Sequence, residues 1–465
     1  MRALAAAALA LAACQAPGLA ARSLPPLAGE GEVFLYLDPL PAAAERLSFA
    51  LEWVAAVRAD GLEVPLTLGF AEVDGAKASR QRLLASGRLP PGSYTSLAVK
   101  VRRATLVTED GRTDLLVSRE PDRVPVALPV SRGHATVLTL ALRFSSSVSA
   151  SYGFAPAFAA QVPHAPQPAL SAYCTSDAAS AVAVLDRRRR QVVAVLPTGR
   201  APQGIAVDAL QGRAYVALSG EDTIQVIDLA SREDLPPMRL QPGDRPGDLA
   251  LTQDGRTLLA VNAGSRTLAF LDPASGMERG RVPVGEEPQA LLLDRSGRRA
   301  YVANRRSARI TVIDVANRAV VGALATDPEP TRMALNRAGT RLYAIHAGSA
   351  QLGVWSLPDL RPVARQHVGL GATALKVDPR TDLVYVGRRD RRLEIYDPLA
   401  FTPVDAIALP GVPGWLAIDD AENLLLALLP EEGSLVAVDL TARRVVAAVD
   451  VLPDPHAVAF AGERN

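Results

Sequence analysis

Tyr301-Val302-Ala303-Asn304-Arg305-Arg306-Ser307-Ala308-Arg309-Ile310-Thr311-Val312-Ile313-Asp314 is one copy of a phrase that fills the last 294 residues of this 465-residue chain. Its ending recurs as Val184-Leu185-Asp186, Val226-Ile227-Asp228, Phe270-Leu271-Asp272, Val354-Trp355-Ser356, Ile395-Tyr396-Asp397 and Ala437-Val438-Asp439. Successive endings lie 42, 44, 42, 42, 41 and 42 residues apart. That period holds four short strands and their turns, which is one blade of a β-propeller. The 26 residues after Asp439 and the 15 from Ala172 to Asp186 make a seventh interval of 41. Seven blades are therefore expected over residues 172–465.

Within a repeat the order is an apolar strand such as Ile205-Ala206-Val207, then Ala214-Tyr215-Val216-Ala217, then Thr223 to Ile227, then a weaker outer strand. The region opens at Ala172-Tyr173-Cys174, which matches a second strand, and closes at His456-Ala457-Val458-Ala459-Phe460, which matches a first. The last strand should complete the blade begun near residue 172, so that backbone hydrogen bonds seal the ring.

Tyr301-Val302-Ala303-Asn304 followed by Ile310-Thr311-Val312-Ile313-Asp314 resembles the YVTN repeat family, and residues 172–465 look like the YncE-type seven-bladed propellers of bacterial envelopes. The Asn slot keeps Asn262 and Asn304 but holds Ser176, Leu218, His346, Arg388 and Leu429 elsewhere, which argues against one ligand shared by all repeats.

Upstream, residues 1–13 carry Arg2 and then an Ala/Leu-rich run too short to span a bilayer, the form of a secretory signal. Leu11-Ala12-Ala13-Cys14 resembles the bacterial lipobox, which implies lipidation of Cys14; Gln15 after it resembles lipoproteins sent to the outer membrane. Residues 14–31, with Pro17, Pro25 and Pro26, read as a tether able to reach ~55 Å when extended. Cys174 is the only other cysteine, so no disulfide is expected once Cys14 is lipidated.

Residues 32–150 alternate with period 2, as in Leu47, Phe49, Leu51 and Trp53, or Leu138, Leu140, Leu142 and Phe144, with turns at Asp60-Gly61, Asp74-Gly75 and Asp110-Gly111. This predicts an antiparallel β-sandwich. Leu89-Pro90-Pro91-Gly92-Ser93-Tyr94 resembles the Leu-Pro-x-Gly-x-Tyr turn of prealbumin-like and immunoglobulin-like surface modules, a structural element. Pro125 and Pro129 make the run from Val124 to Val130 an edge strand. Residues 151–171, with four prolines, read as the linker to the propeller. The expected architecture is all-β: a sandwich, then a seven-bladed propeller.

A formal charge of +1 with 49% hydrophobic residues offers no basic field for nucleic acid. Six of the seven phrase endings finish in Asp, but each stands before a hairpin, where a short carboxylate accepts backbone N–H groups. Asp208, Asp294, Asp378 and Asp419 read the same way, and none is a candidate ligand. The loop into the innermost strand is different, because it rims the central channel. Alignment on Pro202, Pro246, Pro288, Pro330, Pro413 and Pro455 brings Gln203, Asp248, Gln289, Arg332, Trp415 and His456 to neighbouring rim positions. The loops between second and third strands add Asn262, Asn304, His346 and Arg388 on the same face. Arg332 and Arg388 are the candidates for a carboxylate or phosphate.

No Cys-x-x-Cys-His, His-Glu-x-x-His or Gly-x-Ser-x-Gly stretch occurs, and the five histidines are scattered. The expectation is a monomeric, non-enzymatic binding or scaffold lipoprotein of the cell envelope. It would have no cofactor and no metal, and would be held to the membrane through Cys14 and engage an envelope protein, a glycan or a small molecule. The alternative is an enzyme, since propellers resembling this one include lactonases and quinone- or haem d1-dependent oxidoreductases. A lactonase would draw on Asp248, Asn262 and Asn304, and haem d1 on His346 or His456.

Overall fold

A computed structural model describes Leu27 and residues 29–109, 111–164, 166–357, 359–400 and 402–463. Cys14, the signal and most of the tether lie outside these residues, as does Asp110 of the third turn. Residues 171–460 form seven four-stranded antiparallel sheets set around one axis. Six take their strands in chain order, beginning at Pro202, Pro246, Pro288, Pro330, Ala372 and Trp415; these are blades one to six.

Blade seven is composite. Its three outer strands, Ser171–Ser176, Ala181–Asp186 and Gln191–Pro197, come from the start of the propeller, and its innermost strand, Pro455–Phe460, comes from the end. The ends pair antiparallel, with Tyr173 opposite Ala459 and Cys174 opposite Val458. Thr175 stitches the same seam: its buried hydroxyl accepts the Ala457 amide at 3.1 Å and donates to the Gln203 carbonyl of blade one at 2.7 Å.

Second strands are buried along nearly their whole length because each lies between two neighbouring blades and is covered on both faces. Tyr215, Tyr301, Tyr343 and Tyr385 fill equivalent buried positions there. The repeated aspartates do what their place before a hairpin demands. Asp186 accepts the amides of Arg188 and Arg189, Asp228 those of Ala230 and Ser231, and Asp439 those of Thr441 and Ala442. Asp208, Asp294, Asp378 and Asp419 accept turn amides in the same manner.

The N-terminal strands form two layers around one core, with Val33, Leu35, Leu47, Phe49, Leu97 and Leu138 among its members. The layers are continuous through Glu63–Leu68, which pairs with Leu47–Arg58 from Glu63 to Leu66 and with Arg82–Leu89 through Thr67 and Leu68, turning a corner between them. The sheet is not wholly antiparallel: Gly31–Leu37 runs parallel to Ala135–Leu142. Asp122–Val130, with its two prolines, pairs only with Gly92–Thr108 and is an edge. Tyr94 is buried and donates to the Pro90 carbonyl at 3.0 Å, pinning the turn it follows.

The region between the domains departs from the linker read in the sequence. Gly153–Phe154 and Phe158–Gln161 add two short strands to the N-terminal sheet, and Phe154 and Phe158 pack on Phe49 at ring-centroid distances of 5.3 and 6.4 Å. The sandwich then docks directly on blade seven. Gly31–Leu37 is buried on both sides because alternate residues serve different cores. Val33, Leu35 and Leu37 face the sandwich, while Phe34 and Tyr36 join Val137, Val192, Val195 and Val451 in a cluster shared with the propeller. The outer strand Gln191–Pro197 is accordingly buried, whereas the outer strand of blade three, Ala319–Ala325, is mostly exposed.

Polar contacts fix the angle of docking. The Tyr36 hydroxyl donates to the Val451 carbonyl at 2.7 Å, Gln81 accepts the Val192 amide at 2.8 Å, and Asp450 lies 3.1 Å from Arg80 and 3.6 Å from Arg82. Two outcomes follow. Ending the chain after Leu452 removes the inner strand of blade seven, and at about 1 kcal/mol for each lost ladder bond should lower the melting temperature by about 10 °C or more. Unchanged melting would refute the closure. Tyr36→Phe should lose about 1 kcal/mol in denaturant unfolding, and no loss would mean the hydroxyl contributes nothing to docking.

Candidate functional site

The channel rim is shaped by a device that recurs in the blades. Ala201, Arg245, Glu287, Glu329 and Asp454, each just before a proline, adopt left-handed backbone with φ of 54, 52, 51, 58 and 48°; Gly371 does so before Ala372. Left-handed backbone is unfavourable for residues with a Cβ. Offsetting bonds come from the residue after each second strand: Ser219, Ala263, Arg305 and Ala347 donate their amides to the carbonyls of Ala201, Arg245, Glu287 and Glu329. Just inside, the inner strands of blades one to five show a register irregularity against their second strands. A bulge re-aims the side chains it carries. It falls on the residues that follow Pro202, Pro246, Pro288, Pro330 and Ala372.

The ten candidates separate into two groups. Those at the ends of second strands sit within the blades. Asn304 is fully buried; its amide group donates to the Val302 and Arg309 carbonyls and to Thr311, and its oxygen accepts the Gly285 amide at 2.9 Å. Asn262, equally buried, donates to Thr267 at 3.2 Å. His346 is 1% exposed, with Nδ1 3.1 Å from the Gln351 carbonyl and the Trp355 ring beside it. Burial holds its pKa below the ordinary histidine value. Arg388 donates to the Val368 carbonyl and faces Asp390 and Glu394 at 3.3 and 3.6 Å, so its charge is already met.

The inner-strand candidates line the channel. Arg332 of blade four lies with its guanidinium carbon 4.8 Å from the ring centre of Trp415. Trp415 belongs to blade six, so the pair passes blade five and forms a chord across the lumen. One weak bond, Nη2 to the Gly414 carbonyl at 3.4 Å, is the only hydrogen bond of the Arg332 side chain among the described residues. Asp248 of blade two accepts the amides of Leu249 and Leu291 at 3.0 and 2.9 Å. Burial raises its pKa, against the pull of the Leu291 amide and the Arg332 charge. Burial likewise draws Arg332 below the usual arginine value while Asp248 opposes the shift. No carboxylate lies within 4 Å of Arg332 among the described residues.

His456 of blade seven and Gln289 of blade three are exposed to water, and Gln203 is half-buried. His456 is reachable by water yet surrounded by protein. That enclosure, with the Arg332 charge second, pushes its pKa down to about 4, so the imidazole is neutral at pH 7. Thr373 of blade five belongs to this ring and escaped the sequence reading, because Ala372 replaces the proline used for alignment. The 42-residue spacing from Pro330 to Ala372 was the signal that locates it.

Metal or haem chemistry finds poor support in these donors. Both Asp248 oxygens engage amides, Asn262 and Asn304 are internal to their blades, and the His346 ring is enclosed within its sheet. His456 reaches the lumen alone. Among the described residues no three His, Cys, Asp or Glu side chains converge.

No protein-family model matches the chain, and no curated protein matches it. Solved structures share its fold. Hydrazine synthase from Kuenenia stuttgartiensis superposes with a TM-score of 0.52 at 14% identity over 59% of this chain and 94% of that one. Dihydro-heme d1 dehydrogenase NirN, solved with DHE, gives 0.50 at 15% over 64% and 76%. A functionally unknown protein from Desulfotomaculum acetoxidans gives 0.56 at 10% over 62% and 98%. At these identities the likeness is one of propeller fold alone.

The depressed His456 pKa makes the unfolded chain bind more protons than the native one between about pH 6.5 and 4. Stability from this group is full above that window and falls as pH falls through it. His456→Gln should therefore show a shallower loss of melting temperature from pH 7 to 4 than the wild type; parallel curves would refute the assignment.

Proposed function

We propose that this chain is a non-enzymatic envelope lipoprotein of the YncE type that binds a ligand or partner at the mouth of its propeller channel. The observation that carries the proposal is the mixed set of side chains at neighbouring positions of the inner strands: Gln203, Gln289, Thr373 and His456 stand one residue after the rim proline or Ala372, and Asp248, Arg332 and Trp415 stand two after it, and neither set repeats one residue type around the ring. Structural residues of a repeat recur, as the hairpin aspartates do. Residues that face one asymmetric ligand do not.

Buried donors of mixed type over an aromatic ring suit recognition. They include no nucleophile paired with a base, which acyl transfer or hydrolysis without metal would require. The lipid on Cys14 would fix where binding occurs, and the tether would let the propeller stand clear of the bilayer. The sandwich, docked on blade seven, leaves the rims of blades two to five to a partner.

Two measurements test this. Cys14→Ala should move the protein from the membrane pellet to the soluble fraction, and continued sedimentation with membranes would refute the anchor. A photocrosslinking residue at Gln289 should capture a specific adduct in cells that the same probe at Val321, on the outer edge of blade three, does not. Adducts from Val321 alone would move the binding face away from the channel.

A further inference from the structure

We infer that the channel mouth takes a small polar monocarboxylate, bound through its oxygens to Arg332; the inference rests on the channel mouth being the binding face. Of the two arginines that could receive an anion, Arg388 is neutralised by Asp390 and Glu394. Arg332 is not. Its guanidinium lies over the Trp415 ring, makes one bond of 3.4 Å to a carbonyl, and has no other hydrogen-bond partner among the described residues, on a side chain that is only half-buried.

Withdrawing a cation from bulk water without an ion pair is unfavourable. Stacking on an indole returns part of that loss. A planar two-oxygen acceptor would return more, because it matches the guanidinium fork.

The same sector holds two further buried polar atoms without a protein partner, the Thr373 hydroxyl, which can donate or accept, and Trp415 Nε1, which can only donate. Blade five, which carries Thr373, lies between the blades that carry Arg332 and Trp415. The sector therefore presents more donors than the protein satisfies, which specifies an acceptor-rich guest.

Charge selects among acceptors. Arg332 is the one cation of the inner ring, His456 is neutral at pH 7, and Asp248 adds a carboxylate whose oxygens already hold amides. With Asp248 also in the ring, Arg332 leaves no surplus of positive charge for a dianion: a phosphate would bring two negative charges toward Asp248 where a monocarboxylate brings one. Gln289 and His456, exposed to the lumen, and half-buried Gln203 supply neutral hydrogen-bonding groups for the rest of the guest, so hydroxy- and oxo-acids fit better than purely aliphatic acids.

Calorimetric titration of the detergent-solubilised full chain tests this with lactate, glycerate and gluconate as probes, and with lactamide and inorganic phosphate as comparisons. At least one carboxylate should bind, with lactamide weaker by about tenfold or more, since a charge-assisted pair is lost. Arg332→Gln should weaken binding to a similar degree. Thr373→Val should weaken it about threefold while leaving the melting temperature unchanged, which keeps the test decisive if Arg332→Gln does not fold. Equal binding of lactamide, preference for phosphate, an unaffected Thr373→Val or the absence of any carboxylate binding would each overturn the inference. If crosslinking from Gln289 still succeeds in that event, the binding face stands and only its ligand class is wrong; if it fails too, both fall.

Discussion

Everything in this molecule hangs on one antiparallel pairing, that of Pro455–Phe460 with Ser171–Ser176. A propeller is a stack of sheets bent into a ring, and without closure its first and last blades would each expose an apolar face. Here the closing blade has one innermost strand from the end of the chain and three from its beginning, so the ring cannot open without breaking backbone hydrogen bonds. Thr175 adds a bond from that seam to blade one. The pairing also positions the channel, since His456 is carried on the closing strand itself.

The closing blade has a second duty, and it explains why its outer strand differs from the others. Outer strands of propeller blades have an unpaired edge and are usually blunted by charge or proline. Asp234–Arg239 contains two prolines, and Arg361–His367 mixes charge with Pro362. Gln191–Pro197 has neither device within its run of Val192 to Leu196, because the N-terminal sandwich covers it. Phe34 and Tyr36 provide the cover from the back of a strand whose other face builds the sandwich core. The two domains therefore share a core at the place where the ring is sealed.

The ring was legible in the sequence because a repeat of about 42 residues is a long-range signal that local ambiguity does not blur. Blade number, the composite seventh blade, the edge strand with Pro125 and Pro129, and the turn role of the aspartates all follow from spacing and from residue chemistry. The docking of the domains was less legible. Its signature, the unbroken apolar runs Val33 to Leu37 and Val192 to Leu196, states that both faces are buried without saying against what. Residues 153–161 read as a proline-marked connection, yet two phenylalanines draw them into the sheet. In the channel, proline alignment found Arg332 and Trp415 but could not show that they meet, because contact across a ring has no sequence distance. It passed over Thr373 for want of a proline; the loops between second and third strands, a separate reading, brought in Asn262, Asn304, His346 and Arg388, whose side chains bond to their own or adjoining loops and strands.

Native-state hydrogen exchange on the full chain tests the closure most directly. The amides of Ala457 to Phe460 and of Tyr173 and Cys174 should exchange as slowly as those of Tyr301 to Ala303 in the middle of blade three, opening only when the whole propeller unfolds. Exchange of the terminal strand at rates typical of a frayed end, with blade three still protected, would show that the ring is not sealed there and would contradict the account.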